Sequence, residues 1–265
     1  MSLVKQTPGL LEALRGEMTP KFLATRSPEG VPNVVPVVSI LPDEEQPDTL
    51  FFGNFLLRKS IKNLERDKRV GILVITADLE GWILTGEFVE FQRTGPYVDR
   101  QMNSGLLRYN AYTGVRNAGV LQVKSVDGQF SISKMQVARD YALARLAALS
   151  GAGQNGDGAP IPLPVRQEFG KMVAVKVLAW VRDDGYPTIA PALSLQPAGP
   201  RTMVCWQGKS LPMPPQDALV ATNILTFEAI SYQAKGRWAR GKNVGALQVQ
   251  EIYAGGPPRP GGRVA

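Results

Sequence analysis

The chain has 265 residues, 44% of them hydrophobic and 20% charged, with a net charge of +7, one cysteine and no histidine. That length fits one large domain or two ordinary ones, and the apolar content is enough for a buried core. The absent histidines remove His-based triads, His metal ligands and His acid–base work, and a lone Cys205 excludes an internal disulfide or a cysteine-rich metal site.

Surplus positive charge favours anionic partners such as phosphate ligands, nucleic acid or acidic surfaces. Cys205 stands between Val204 and Trp206 and reads as a buried strand residue, since nothing nearby would stabilise a thiolate. No run approaches the ~18 apolar residues that span a bilayer. The N-terminal MSLVKQTPGLLEAL lacks the apolar core and cleavage site of a signal peptide. A reducing, cytoplasmic setting is therefore expected, with no membrane partner.

In chain order, Thr7-Pro8 followed by Leu10, Leu11, Leu14 and Met18 predicts a short amphipathic helix with Thr7 as N-cap and Pro8 as its first residue. β-like runs follow: KFLATRS, a turn at Pro28-Glu29-Gly30, VPNVVPVVSIL, the loop PDEEQPD, TLFFGN, RVGILVIT and EGWILTGEFVEFQ. Their β-branched and aromatic content predicts a mainly β, mostly antiparallel sheet or barrel. Ser133 to Leu149 is the clearest helix, with Met135, Ala138, Ala142, Leu143, Leu146 and Leu149 on one apolar face. SGAGQNGDGAPIPLP reads as a Gly/Pro-rich linker, and AGGPPRPGGRVA as a loose tail.

The chain repeats itself across that linker. Gly30 to Ile40 reads GVPNVVPVVSI and Gly185 to Leu195 reads GYPTIAPALSL, both GxPxxxPxxS. Asn117 to Val123 reads NAGVLQV and Asn243 to Val249 reads NVGALQV. Two matches in the same order indicate two copies of one β unit, roughly 20–130 and 170–253. The organisation expected is a first domain at 1–133, a helix and linker at 134–166, a shorter second copy at 167–253 and a flexible tail at 254–265. Two open sheets can cover each other's apolar faces, which is a physical reason for duplication.

Few motifs carry chemistry. GAGQNG at 151–156 matches GxGxxG, but it follows a helix and runs into Asp-Gly-Ala-Pro, which is the wrong context for a dinucleotide loop. The acids are scattered and mark no carboxylate pair. The basic stretch NFLLRKSIKNLERDKRV (54–70) is more informative. Ile61 and Leu64 can face the core together, and Ser60 is a candidate N-cap of a short helix ending near Asp67. Arg58, Lys59 and Ser60 would then sit at a helix start, where a phosphate is well served by a guanidinium, an ammonium, a hydroxyl and free N–H groups. A charged surface helix accounts equally well for these residues taken alone. A nucleic-acid patch is disfavoured, because no aromatic interleaves the basic residues between Leu56 and Leu79.

The order of these segments resembles the FMN-binding split-barrel flavoproteins, the relatives of pyridoxamine 5′-phosphate oxidase. The resembling parts are a Pro-bearing strand and turn, a strand ending in Gly-Asn, a basic helix start, RVGILVIT, and EGWILTGEFVEF followed by Thr-Gly-Pro. The likeness covers roughly 20–130 in detail and the second copy only weakly. It implies two tandem split barrels, the second degenerate, and a non-covalently bound FMN. By similarity Arg58, Lys59 and Ser60, with Lys62 and Asn63 nearby, hold the phosphate. Val35, Pro36, Val37 and Val38 lie against the flavin ring, with Phe52, Gly53 and Asn54 bordering it. Glu80, Gly81 and Trp82 approach it near a subunit boundary. The residues that bind pyridoxal phosphate in the true oxidase are not recognisable here, so vitamin B6 oxidation is not implied. Gly208-Lys209-Ser210 resembles a remnant phosphate motif, but Leu-Pro-Met-Pro-Pro follows it, so at most one flavin per chain is expected.

The resemblance implies a flavin-dependent oxidoreductase of unknown substrate, served by a small-molecule donor such as a nicotinamide nucleotide. It would work as a homodimer or an intrachain pseudo-dimer. The alternatives are a non-enzymatic flavin, deazaflavin or haem module and, after them, a basic nucleic-acid-binding protein. No catalytic residue and no metal ligand is identified.

Overall fold

The β-branched runs form two seven-stranded sheets with one plan. The structure, a computed structural model, describes residues 2–55, 57–105, 115–150, 158–206, 208, 211–255 and 261–265. The first sheet is built from β1 (Lys21–Arg26), β2 (Pro32–Pro36), β3 (Leu41–Pro42), β4 (Thr49–Gly53), β5 (Arg69–Ile75), β6 (Glu80–Gln92) and β7 (Ala118–Ser131). Its order is β2-β1-β5-β6-β7-β4-β3. The second uses β8 (Val175–Val181), β9 (Pro187–Pro191), β10 (Gln196–Pro197), β11 (Thr202–Trp206), β12 (Leu219–Leu225), β13 (Ser231–Arg240) and β14 (Val244–Ala254). Read from the matching edge, its order is β9-β8-β12-β13-β14-β11-β10, the same strand for strand.

The registers repeat as well. Arg69 opposes Glu87 and Ile75 opposes Gly81 in one copy, while Leu219 opposes Arg237 and Leu225 opposes Ser231 in the other. A bulge falls after Thr85 and after Lys235, in each case before a glycine. A Cβ on Gly86 or Gly236 would press on the carbonyl of Gln122 or Gln248, the glutamine of each AGVLQV-like repeat. Gly30 and Gly185 have φ of +80° and +82°, the left-handed turn conformation that explains the repeated glycine.

The repeat also runs further upstream than its sequence signature. Lys21 and Lys176 stand near the starts of equivalent strands, and both are fully buried. Lys21 Nζ donates to the carbonyls of Gly16 (2.6 Å) and Val38 (3.2 Å), and Lys176 Nζ to those of Lys171 (2.8 Å) and Phe169 (3.3 Å). Each ammonium thus reaches a carbonyl at or just past the end of a preceding helix, α2 (Leu10–Arg15) or α6 (Leu163–Phe169). Burial pushes Lys21 down to about 8 and Lys176 down to about 7.

Contact density divides the chain into two units. The first holds 1–29, 36–131 and 182–188, and the second holds 30–35, 132–181 and 189–265. In the first, Phe22, Leu23, Phe51, Phe52, Ile72 and Leu73 are fully buried. In the second, Phe169, Leu178, Met203, Trp238, Leu247 and Ile252 form the core. Cys205 is a buried residue of β11, as its neighbours imply, and burial pushes its thiol up to about 11.

Several local expectations are corrected. The single N-terminal helix is two, α1 (Leu3–Gln6) and α2, with Thr7 as the C-cap of α1 and Gly9 (φ +74°) as the N-cap of α2. The cause is long-range: the Asp48 carboxylate accepts from the N–H groups of Leu3 (3.0 Å) and Val4 (2.8 Å), starting helix upstream of Thr7. Two further helices are α3 (Arg58–Leu64) and α4 (Pro96–Met102). The helix from Ser133 is α5 (Lys134–Leu149), but the expected face is turned outward, with Met135 82%, Leu146 63% and Leu149 70% exposed. It seats Ala144 and Ala148 instead, and Ala148 packs with Ala198 and Val204, because small side chains let a helix lie close to a sheet. The tail is not wholly loose: Val264 N donates to Ile252 O (2.8 Å), since strand-like pairing needs no apolar content.

Candidate functional site

The segment between β4 and β5 supplies the basic residues. Here α3 starts earlier than expected. Leu57 is its N-cap, and Ser60 is its third residue, 1% exposed, rather than its cap. The helix ends at Leu64, short of Asp67. Leu64 is buried and Ile61 partly so, which anchors the inner face. Arg58 and Lys62 are exposed and Lys59 is half-buried, and the helix itself contains no acid. Asn63 faces inward, donating to Thr25 Oγ1 at 3.0 Å. Glu65, the C-cap, is exposed, and Asp67 is taken up by Arg69 and by Arg26 (Nε 2.9 Å from Oδ2). The Arg69 hydrogen bond holds its carboxyl below the usual range.

Just ahead of this helix in the chain, the end of β4 joins a polar cluster centred on Ser39, the serine of the repeat. β2 ends at Pro36, so Val37 and Val38 lie in a turn and not in the strand that was expected. Val37 N donates to Lys21 O (2.7 Å), and Ile40 N to Val37 O (3.1 Å). Ser39 Oγ accepts from Gly53 N at 3.2 Å. Gln101, fully buried on α4, donates through Nε2 to Ser39 O at 2.8 Å. A Cβ on Gly53 would come 2.8 Å from the Phe55 ring and 3.0 Å from Gln101 Oε1. Asn54, 8% exposed, donates its N–H to Asn117 O at 2.9 Å. Two buried carboxamide oxygens here, Gln101 Oε1 and Asn117 Oδ1, have no hydrogen-bond partner among the described residues. Unsatisfied buried acceptors are costly, and a ligand donor would relieve them.

The structure therefore brings together Pro36, Val37, Val38, Phe52, Gly53 and Asn54, with Arg58 to Asn63 following in the chain. Val35 falls in the second contact unit. Glu80 to Trp82 have other work: Glu80 is the exposed first residue of β6, Gly81 pairs with Ile75, and the Trp82 indole is packed under Gly9. Gln101 and Asn117 were not picked out by sequence reasoning. Gly95-Pro96 was the available signal for α4, since Pro at the first helical turn is a start mark.

The second copy repeats the serine but not the cradle. Ser194 Oγ accepts from Trp206 N at 3.0 Å, so a tryptophan stands where the first copy has Gly53. Gln136, Val137 and Asp140 of α5 cover the place, and Cys205 lines it. The cavity left is about 30 Å³, room for about one water. Among the described residues no helix follows β11, matching the absent counterpart of α3. Lys209 and Ser210 of the remnant motif, and GAGQNG, lie outside the described residues.

The strand order, found twice, decides the architecture. The chain carries the split-barrel fold twice. Several solved structures align with about half of it. The FMN-binding protein of Syntrophomonas wolfei subsp. wolfei shares 18% identity, covering 47% of this chain and 88% of that one, with a TM-score of 0.40. HupZ of Group A Streptococcus, in its H111A form, shares 20% identity over 47% of this chain and 98% of that one, with a TM-score of 0.37. An F420 reductase shares 20% over 46% and 98%, with a TM-score of 0.36. No family model and no curated protein matches the chain. Among the described residues there is no metal-ligand cluster and no helix long and apolar enough to cross a membrane.

Proposed function

We propose that the first unit binds FMN non-covalently and serves a flavin-dependent oxidoreductase. The observation that carries this reading is the pair of orphaned oxygens, Gln101 Oε1 and Asn117 Oδ1, beside the Gly53–Asn54 cradle and followed by an acid-free basic helix. A ligand that answers both needs hydroxyl or imide donors along its body and an anionic end. A flavin mononucleotide has both, and when bound it supplies hydride or electron transfer.

Arg58 and Lys59 hold the phosphate by charged hydrogen bonds, Lys62 adds to the local field, and Asn63 ties the helix to β1 through Thr25. Gln101 and Asn117 accept from the ligand's donors. The Pro36–Val38 turn and Phe52 frame it, and Gly53 leaves the room. Trp82 keeps its packing role. No side chain needs to act as a general acid or base, which suits a chain without histidine. The absence of histidine also removes the commonest axial ligand for a haem. A nicotinamide nucleotide is the electron donor we propose.

Purified protein should show flavin absorption bands, or gain them on adding FMN at micromolar concentration. Protein that stays colourless and binds no FMN contradicts the proposal. Steady-state oxidation of a nicotinamide nucleotide with an added acceptor separates an enzyme from a flavin carrier.

A further inference from the structure

The helix α5 has two apolar faces, and the second sheet covers one of them. The inward face carries Ala144 and Ala148, and the Tyr141 hydroxyl on that side donates to Gly170 O. At about 100° per residue, the opposite side carries Met135, Ala138, Ala142, Leu146 and Leu149 within an arc of roughly 80°. All five are exposed in the full chain. Lys134 and Arg145 flank this stripe on one edge and Arg139 on the other. The one acid of the helix, Asp140, lies away from the stripe and pairs with Arg139 (2.8 Å).

The stripe is symmetric about Ala142. Met135 and Leu149 stand seven residues to either side of it, and Ala138 and Leu146 four to either side. When a second copy of the helix is turned end over end about Ala142, Met135 comes level with Leu149 of the copy. Ala138 comes level with Leu146, and Ala142 meets its own image. Large side chains then enter beside small ones, and two methyl groups at the centre let the backbones approach closely. The cations do not oppose this arrangement. The two-fold axis keeps Arg139 and its image on one edge of the contact and Arg145 and its image on the other, each pair about 9 Å apart along the helix.

The size of the surface sets the strength. Three large apolar side chains, two alanines and the stems of Arg139 and Arg145 offer roughly 500 Å² per chain, about 1,000 Å² in all, the lower end for a specific interface and the scale of a weak dimer. Monomeric proteins rarely leave a contiguous apolar surface of this extent uncovered. The symmetry selects the occupant. An anionic lipid surface would use the cations but has no need of the size order, and a foreign helix has no need of a two-fold centre at Ala142.

We propose that the outward face of α5 is a self-association surface, on which a second copy of this chain docks antiparallel through the same helix with the two-fold axis at Ala142. The contact is isologous and closes as a dimer. It does not depend on flavin binding.

Sedimentation equilibrium on the full chain should show a mass that rises with concentration, through an association step with a Kd between about 1 and 100 µM. Ala142→Arg, at an exposed helical position where arginine is a good helix former, should keep the native circular dichroism spectrum and weaken that step at least about tenfold. Ala142→Cys gives a second readout. Facing Cα atoms at the centre of such a helix pair lie roughly 3.5–5.5 Å apart, close to the span of a disulfide, so diamide should link this variant into a dimer. Cys205 is buried and takes no part, and Arg237→Cys, exposed on β13, should remain unlinked under the same conditions. Three results would each overturn the proposal: a chain that stays monomeric up to about 200 µM, including one that instead sediments with phosphatidylglycerol vesicles; an association that Ala142→Arg leaves intact; or linkage of Ala142→Cys no faster than that of Arg237→Cys.

Discussion

The two sheets share strand order, bulge position, turn glycine, buried lysine and locked serine, yet each has opened what the other has closed. Beside the repeated serine the first copy has Gly53 and two unsatisfied oxygens, while the second has Trp206 and a cover from α5. On the bulged face the first is sealed by Tyr186 and Arg182, while the second keeps a cleft under Val31. The difference teaches that the shared residues maintain the backbone frame. The two copies part at a few positions where the first has glycine and the second a side chain, Gly53 against Trp206 and Gly71 against Ala221.

Exchanging those positions is the sharpest way to break the comparison. Gly53→Trp places the second copy's residue in the first. An added Cβ already meets Phe55 and Gln101 at 2.8 and 3.0 Å, so FMN affinity should fall by about a hundredfold or more, read by flavin fluorescence. Arg58→Ala/Lys59→Ala should cost less. Two charged hydrogen bonds at about 1.5–3 kcal/mol each set an upper range, reduced because Arg58 is exposed, so a loss of about ten- to a hundredfold is expected in the same titration. Gly71→Ala, which brings in the residue at the Ala221 position, should lower the stability of the first unit by about 1–3 kcal/mol through the clash with Pro187, measured by urea denaturation.

A smaller effect tests the shared frame. Lys21 and Lys176 are held at about 8 and about 7 against an ordinary 10.5. Unfolding restores the ordinary value, so between roughly pH 7 and 10.5 the unfolded chain binds more protons. Stability should therefore rise with pH across that window and fall as pH drops through about 7. Lys176→Met should flatten part of that slope in denaturation curves taken from pH 7 to 10. The smallest effect concerns Cys205, whose thiol is buried and pushed up to about 11. Iodoacetamide should leave it unmodified in native protein and alkylate it in urea, as mass analysis would show.

Much of the frame was legible in the sequence because backbone demands leave local marks. The GxPxxxPxxS pattern marks a left-handed glycine and a serine that locks a turn, and both recur in space. The basic run at α3 was legible too, although its cap was misplaced: Leu57 begins the helix without a side-chain cap, so no polar signal marks its start. What stayed hidden depends on long-range partners. Asp48 moves the first helix upstream of Thr7, and no local pattern announces a carboxylate so far along the chain. The outward face of α5 was misjudged because the sheet selected the small residues Ala144 and Ala148 over the larger apolar ones. Gln101 and Asn117 carry no motif, and their unsatisfied oxygens come into view only once Ser39, Gly53 and Asn54 are placed around them.

The most direct test of the central claim is the stoichiometry of FMN, measured by titration on the full chain and on Gly53→Trp. One FMN per chain, lost in Gly53→Trp, is the predicted result. No FMN bound by the native chain, or two per chain, would contradict it.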